Sequence, residues 1–230
     1  SKKIAINLMK FSWPLALSVF LISIHTKIDQ VMIGNMLDIE QVGIYSVAVN
    51  LSAAWLFFPA ILVSTFMPYF VSLRESDNAL YHYRLIQFYS LMFWMGVFVG
   101  LVTILFGESI IGLLFGVAYI DAYMALVFNI WNGIFISQAV ARGIWMISEN
   151  LQIYRLYNNI ITVVLNITVN LLLIPKYGIA GAAIATLMTQ ALGVWVVSLF
   201  WKPLRNSTWA MIKSINPKYL LNYKKDVSIF

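Results

Sequence analysis

The chain has 230 residues, of which 61% are hydrophobic and 10% charged, with a mean hydropathy of +0.84 and a formal charge of +6. Soluble domains run at about 45–50% apolar and about 25% charged residues, so a single water-soluble globule is excluded. Cysteine is absent, which removes disulfides and thiolate metal sites from consideration.

The apolar residues fall into six blocks, at 11–34, 43–69, 85–106, 122–147, 156–175 and 178–201. Each is of the roughly 20-residue length a helix needs to cross hydrocarbon. None alternates apolar with polar as a barrel strand would; the run from Leu51 to Val63 is nearly unbroken. The expected fold is therefore all-α: a polytopic membrane protein with six transmembrane helices. The first block is too long for a signal peptide's apolar region, and the opening Ser1-Lys-Lys reads as that of a fragment or processed chain.

Charge follows the blocks. Lys2, Lys3 and Lys10 precede the first, Arg74 and Arg84 separate the second from the third, and Arg155 separates the fourth from the fifth. Lys202, Arg205, Lys213, Lys218, Lys224 and Lys225 follow the last. The alternate loops hold Lys176 with Asp38, Glu40, Glu108 and Asp121. By the positive-inside rule both termini and the even-numbered loops face the cytoplasm. The basic balance thus marks topology, with membrane lipids as the partner and no nucleic acid. Residues 1–201 are expected to form a six-helix bundle and 202–230 a short basic cytoplasmic tail. Residues 74–84 should form an interfacial helix or turn, and the glycine-rich stretch 107–121 should lie in the outer interface.

Ionisable groups within spans are costly and are functional candidates for that reason. In the first span, at about 100° per residue, His25 and Asp29 share a face as an i,i+4 pair, and Lys27 points about 160° away from each. His25 and Asp29 are candidates for ion coupling and Lys27 for meeting an anion; all three could equally reach the outer headgroups by snorkelling. In the fourth span Gln138, Arg142 and Glu149 lie close to one stripe, with Asn129 and Asn132 beside it. The planar fork of Arg142 suits a phosphate, although an arginine near the cytoplasmic end also serves as a topology marker. In the fifth span Asn159, Thr162, Asn166 and Asn170 form a polar stripe that either lines a wet cavity or hydrogen-bonds a neighbouring helix. No metal-ligand spacing connects His25 with His82, and no GxSxG, Walker or HExxH motif occurs. Neither an enzyme nor a metal or cofactor site is expected.

Several local patterns, taken in order, carry a resemblance. They are Gly43-Ile-Tyr-Ser-Val-Ala with Trp55-Leu-Phe-Phe-Pro59 and Pro68, then Leu114-Phe-Gly116-Val-Ala-Tyr119-Ile-Asp-Ala122, then Ile174-Pro-Lys-Tyr-Gly178-Ile-Ala-Gly181-Ala-Ala-Ile-Ala-Thr186. Over nearly its whole length the chain resembles the C-terminal half of the polysaccharide transporter family, the Wzx-type O-antigen flippases of the MOP flippase superfamily. That resemblance implies one bundle of a MATE-like two-bundle transporter, with the N-terminal half of the same transporter as its partner. It further implies a substrate, an undecaprenyl-pyrophosphate-linked oligosaccharide repeat unit, turned across a bacterial inner membrane by alternating access. Lys27 and Arg142 would meet the phosphates, Asn129, Asn132, Asn159, Asn166 and Asn170 the sugar hydroxyls, and His25 with Asp29 the coupling ion. The alternatives are a multidrug or cation antiporter of the same superfamily, which would favour acidic cavity groups, and a membrane-bound enzyme of cell-surface glycan assembly.

Overall fold

The structure is a computed structural model that describes residues 2–221. Its long elements are α1 (Lys2–Met36), α2 (Ile39–Trp55), α3 (Phe57–Ser76), α4 (Asn78–Phe115), α5 (Tyr123–Ser148) and α6 (Gln152–Ala191). Among the described residues four stretches are long and apolar enough to cross a bilayer: Ile39–Ser76, Asn78–Phe115, Val117–Ser148 and Gln152–Phe200. The first joins α2 to α3 through Leu56. Pro59 lacks the N–H that would bond the Trp55 carbonyl, so the helix breaks there.

The last stretch doubles back on itself. Gly178 has φ 59° and ψ −139°, a backbone conformation closed to side chains with a Cβ. Beyond it the chain returns antiparallel: Asn166 Nδ2 donates to Thr186 Oγ1 at 3.0 Å, and Asn158 Nδ2 to the Gly193 carbonyl at 3.0 Å. Gly181 lets the returning leg lie directly on the Leu173 carbonyl. The six expected blocks thus map onto α1, α2 with α3, α4, α5 and the two legs of α6.

Boundaries differ from the sequence expectation where polar residues continue a helix beyond the hydrocarbon. α4 starts at Asn78, capped by Asp77 Oδ1 accepting from Leu80 N at 2.9 Å, so within 74–84 two helices meet at the single residue Asp77. At the other end α4 runs through Gly107 to Phe115, and a 3-10 turn, Val117–Ala122, leads into α5. The region expected to form the short basic tail is partly helical. After a short α7 (Ser198–Phe200), the helix α8 (Arg205–Lys213) folds back onto the bundle and buries Ser207, Thr208, Ala210 and Met211. A one-turn α9 (Lys218–Leu221) follows, and residues 222–230 of the expected tail lie outside the described residues.

α5 packs against α2, α3, α4 and α6, and α1 packs against α6. Two apolar clusters form. One surrounds Ile33, Tyr45, Ala48, Ile111, Ala125 and Ala182 at the end of the turns near residues 38, 116 and 178. The other surrounds Phe70, Tyr89, Met92, Ile144 and Met211 at the opposite end. Most of the buried polar side chains of α1, α5 and α6 lie between these two clusters.

Candidate functional site

A cavity of about 360 Å³ lies between α1, α2, α5 and both legs of α6. Its walls carry His25, Asp29, Tyr45, Asn129, Asn132, Arg142, Arg155, Asn158, Asn159, Thr162 and Thr186. Opposite charges mark its two ends. Asn170 beside Asp29 and Asn158 beside the Arg142 contacts are twelve positions apart on one leg, about 18 Å at 1.5 Å per residue.

At the end nearer the Gly178 turn, Asp29 is 3% exposed and accepts three hydrogen bonds from three helical legs. Tyr45 Oη donates to Oδ2 at 2.9 Å, Thr186 Oγ1 to Oδ2 at 2.6 Å, and Asn170 Nδ2 to Oδ1 at 2.7 Å. A further bond from Asn170 Nδ2 to Asn166 Oδ1, 3.2 Å, closes the ring. The Asn170 Oδ1 atom is buried and has no hydrogen-bond partner. Carboxylate, amide, hydroxyl and phenol oxygens therefore converge on one spot.

At the other end a π-helical turn, Leu192–Val197, changes the register of the second α6 leg. Such turns release carbonyls from the helical ladder and recur at functional sites. Here the Gly193 carbonyl accepts from Asn158 Nδ2 and from Ser198 Oγ, both at 3.0 Å, and the Val194 carbonyl accepts from Arg142 Nη1 at 3.3 Å. Gly193 is required by close approach, since a Cβ there would run into the Thr162 hydroxyl. Arg142, 4% exposed, also donates from Nη1 to Ser198 Oγ at 3.0 Å and Thr208 Oγ1 at 3.4 Å, while its Nε has no partner. Arg155 reaches the same wall beside Gly143, half-buried.

Among the described residues neither Asp29, Arg142 nor Arg155 has an ion-pair partner, whereas Arg74 and Glu149 pair at 2.8 Å on the bundle's end. Among the described residues no hydrogen bond to the Arg155 guanidinium is found either. Further buried polar atoms at the cavity without a protein partner are His25 Nε2, Asn129 Nδ2, Asn132 Oδ1 and Asn158 Oδ1. Burying such groups unpaired is unfavourable by a few kcal/mol each, roughly. A wall this rich in unpaired donors and acceptors suits a polar ligand better than lipid tails.

The expected residues separate into three sets. His25, Asp29, Asn129, Asn132, Arg142 and Asn159 line the cavity. Asn166 and Asn170 are fully buried behind it, tying the two α6 legs to Asp29. Lys27 is exposed on the far side of α1 with Gln30 Oε1 at 3.4 Å, and is not part of the wall, as its helical angle required. Of the Gln138–Glu149 stripe, Gln138 is buried against Trp195 and Ser214, and Glu149 is taken up by Arg74. Tyr45, Asn158, Ser198, Thr186 and Thr208 were missed, and Arg155 was read only as a topology marker. Tyr45 and Thr186 lie inside the local patterns that carry the resemblance.

Comparison with known proteins adds the following. A family model described as "Polysaccharide biosynthesis protein" matches residues 1–74. The capsular polysaccharide biosynthesis protein CapF of Staphylococcus aureus is 24% identical over 193 residues, covering 82% of this chain and 48% of that protein. The probable flippase AglR of Haloferax volcanii is 27% identical over 179 residues, covering 74% of this chain and 36% of that protein. The chain thus spans about half the length of the first relative and about a third of the second. No solved structure matches it.

Proposed function

We propose that this chain belongs to the polysaccharide transporter family and is one six-span bundle of a two-bundle flippase that moves a lipid-linked oligosaccharide across a membrane by alternating access. The observation that carries the proposal is the cavity wall holding Arg142 and Arg155, with no carboxylate against either among the described residues. Uncompensated guanidiniums inside a membrane bundle are expensive and mark ligand pathways. Two on one wall, beside Asn158 and Asn159, match a phosphate-bearing headgroup followed by sugar hydroxyls. At about 360 Å³ the cavity is at the small end of ligand sites, about 300–1,000 Å³. The rest of a repeat unit would occupy a cleft shared with a second bundle.

Exposed polar residues point to where that second bundle sits. Lys27 on α1 and Thr65, Tyr69 and Ser72 on α3 face outward within apolar spans. Lipid tails would leave them unsatisfied, whereas a polar cleft would not. We assign the partner to the other half of the same transporter, and the membrane to a bacterial inner membrane with both termini cytoplasmic. Arg74, Arg84, Arg155 and Lys202 lie toward one end of the bundle, which fits that orientation. The Asp29 cluster supplies the coupling: a buried carboxylate within a span is a natural place to hold a cation or a proton. A cation antiporter would use Asp29 too, but the two guanidiniums weigh against a cationic cargo. The relatives' names favour a transporter over an enzyme.

The test is complementation of cells that lack their surface-polysaccharide flippase, using the full-length protein at matched abundance. Arg142→Ala is expected to remove about 1.5–3 kcal/mol of headgroup binding, roughly ten- to hundred-fold, and surface glycan should fall accordingly. Arg142→Lys should recover part of it, and Arg142→Ala with Arg155→Ala should abolish export. Full export in the double variant would overturn the proposal.

A further inference from the structure

A second cavity, of about 720 Å³, opens at the end of the bundle that carries Arg74, Arg84 and Lys202. It is a bowl formed where α3 and α5 end and α4 begins, with α8 across one side. Its floor is apolar and consists of the buried side chains of Leu85, Trp145 and Ala210. Its sides are polar: the carboxamides of Asn78 and Asn206 are exposed, the His82 ring is half-buried, and the Ser207 hydroxyl lies at the base. The charges on the rim decide what the bowl takes. Arg74 Nη2 pairs with Glu149 Oε1 at 2.8 Å, and Arg74 Nη1 donates to the Ser148 carbonyl. That guanidinium is held and neutralised, unlike Arg142, and Glu75 adds a second carboxylate to the same wall. An entering anion would have to displace Glu149 and then face two carboxylates at close range. A cation would be left with Glu75, exposed at the rim, where charge pairs contribute little.

What fits is a neutral ligand that both donates and accepts hydrogen bonds, because amides, an imidazole and a hydroxyl present both kinds of group. It must also offer an apolar face to Leu85, Trp145 and Ala210. Sugar rings combine these properties, with hydroxyls around the edge and C–H groups on the face. We propose that the bowl is a recognition site for the sugars of the lipid-linked oligosaccharide, separate from the membrane cavity and filled before the headgroup crosses. This rests on the reading that the cargo is a lipid-linked oligosaccharide. At about 720 Å³ against about 360 Å³ the bowl is the roomier of the two cavities, in the upper half of the range for ligand sites, about 300–1,000 Å³. It therefore suits a segment of linked rings. Glu149 follows Arg142 by seven positions on α5, about 10 Å along the axis, so a glycan lying in the bowl keeps its diphosphate end near Arg142. The two sites divide the work: Arg142 meets the phosphates that all such substrates share, and the bowl reads the sugars in which they differ.

The probe is the reducing oligosaccharide that mild acid releases from the lipid-linked pool of the source cells, which carries neither phosphate nor isoprenoid. Its binding to the purified full-length protein in nanodiscs is titrated by saturation-transfer NMR. Asn78 and Asn206 are exposed, so their substitution leaves the packing of the bundle intact. Asn78→Ala and Asn206→Ala should each weaken binding about two- to tenfold, the share of one neutral hydrogen bond. Asn206→Trp, which fills the bowl, should abolish it. A short-chain isoprenyl diphosphate, which has no sugar, should bind without displacing the oligosaccharide. Oligosaccharide binding that survives Asn206→Trp, or that the diphosphate displaces, overturns the proposal and moves the sugars to the membrane cavity. If the diphosphate binds and the oligosaccharide does not, the bowl is overturned and the headgroup reading stands. If neither binds, both are overturned.

Discussion

Asp29 and Arg142 are buried to the same degree, yet their surroundings are built differently. Asp29 takes three hydrogen bonds of 2.6–2.9 Å from three helical legs, whereas Arg142 spreads one nitrogen over three acceptors at 3.0–3.4 Å and leaves Nε unpartnered. Short bonds from fixed helices hold the carboxylate in one geometry, which suits a small cation that must be recognised by distance. Loose bonds from hydroxyls leave the guanidinium free to exchange partners, which suits a bulky anion that passes through. The contrast follows from the elements supplying the partners. Around Asp29 they are regular helices joined through the Gly178 hairpin, and around Arg142 they are a π-helical turn and the tail helix α8.

The largest effect is expected from Asp29→Asn. The amide keeps the size but has one acceptor oxygen where the carboxylate had two, and three donors converge on it. Leaving a buried donor unsatisfied is unfavourable by about 1–3 kcal/mol, so the melting temperature in detergent should fall, and ion-dependent export should disappear. Export that stays intact and ion-dependent in this variant would make the Asp29 end a structural staple, and the comparison between the ends would lose its functional meaning.

A smaller effect separates the scaffold of the Arg142 end from its chemistry. Gly193→Ala places a methyl group against the Thr162 hydroxyl and should destabilise the bundle by about 1–3 kcal/mol. Combining it with Thr162→Ala should restore much of that, giving a coupling of about 0.5–3 kcal/mol in a double-mutant cycle read by thermal unfolding. Additive effects would mean that the π-helical turn moves away as a unit, and that the packing of Thr162 on Gly193 does not hold Arg142 in register.

What the sequence made legible was periodic. Six apolar blocks became the six helical legs, and the helical angle between His25, Lys27 and Asp29 sent the first and third into the cavity and the second outward. The asparagine stripe of the fifth span was visible, but its division was not: Asn159 and Thr162 face the cavity while Asn166 and Asn170 brace Asp29. That division depends on where the hairpin turns, and Gly178 fixes it, three residues after Pro175, which had looked like the end of the span. Asn158, Ser198 and Thr208 were illegible for a stronger reason. Their partnerships need the extra residue per turn of Leu192–Val197, which no hydrophobic period announces, and a tail whose lysines suggested solvent although its serines and threonine turn inward. Arg155 followed the positive-inside pattern so well that its reach into the cavity had no separate signal.

Lys27 offers the smallest and most discriminating test. It is exposed, on the opposite side of α1 from Asp29, with Gln30 as its neighbour. If transport ran only through the cavity within this bundle, Lys27→Ala would change export no more than other solvated surface charges, by about twofold at most, since surface substitutions away from a site are usually worth within about 0.5 kcal/mol. The outward face of α1 that carries Lys27, however, is where the second bundle was placed. A charge standing in the shared cleft acts on the passing headgroup through a less polar surrounding than bulk water, so its removal should lower export about two- to fivefold at normal abundance, less than Arg142→Ala does. Glycan output from Lys27→Ala and Lys27→Arg, measured beside Arg142→Ala, separates these cases. A deficit restored by arginine locates the second bundle against α1, and an unchanged output moves the cleft to the α3 face alone.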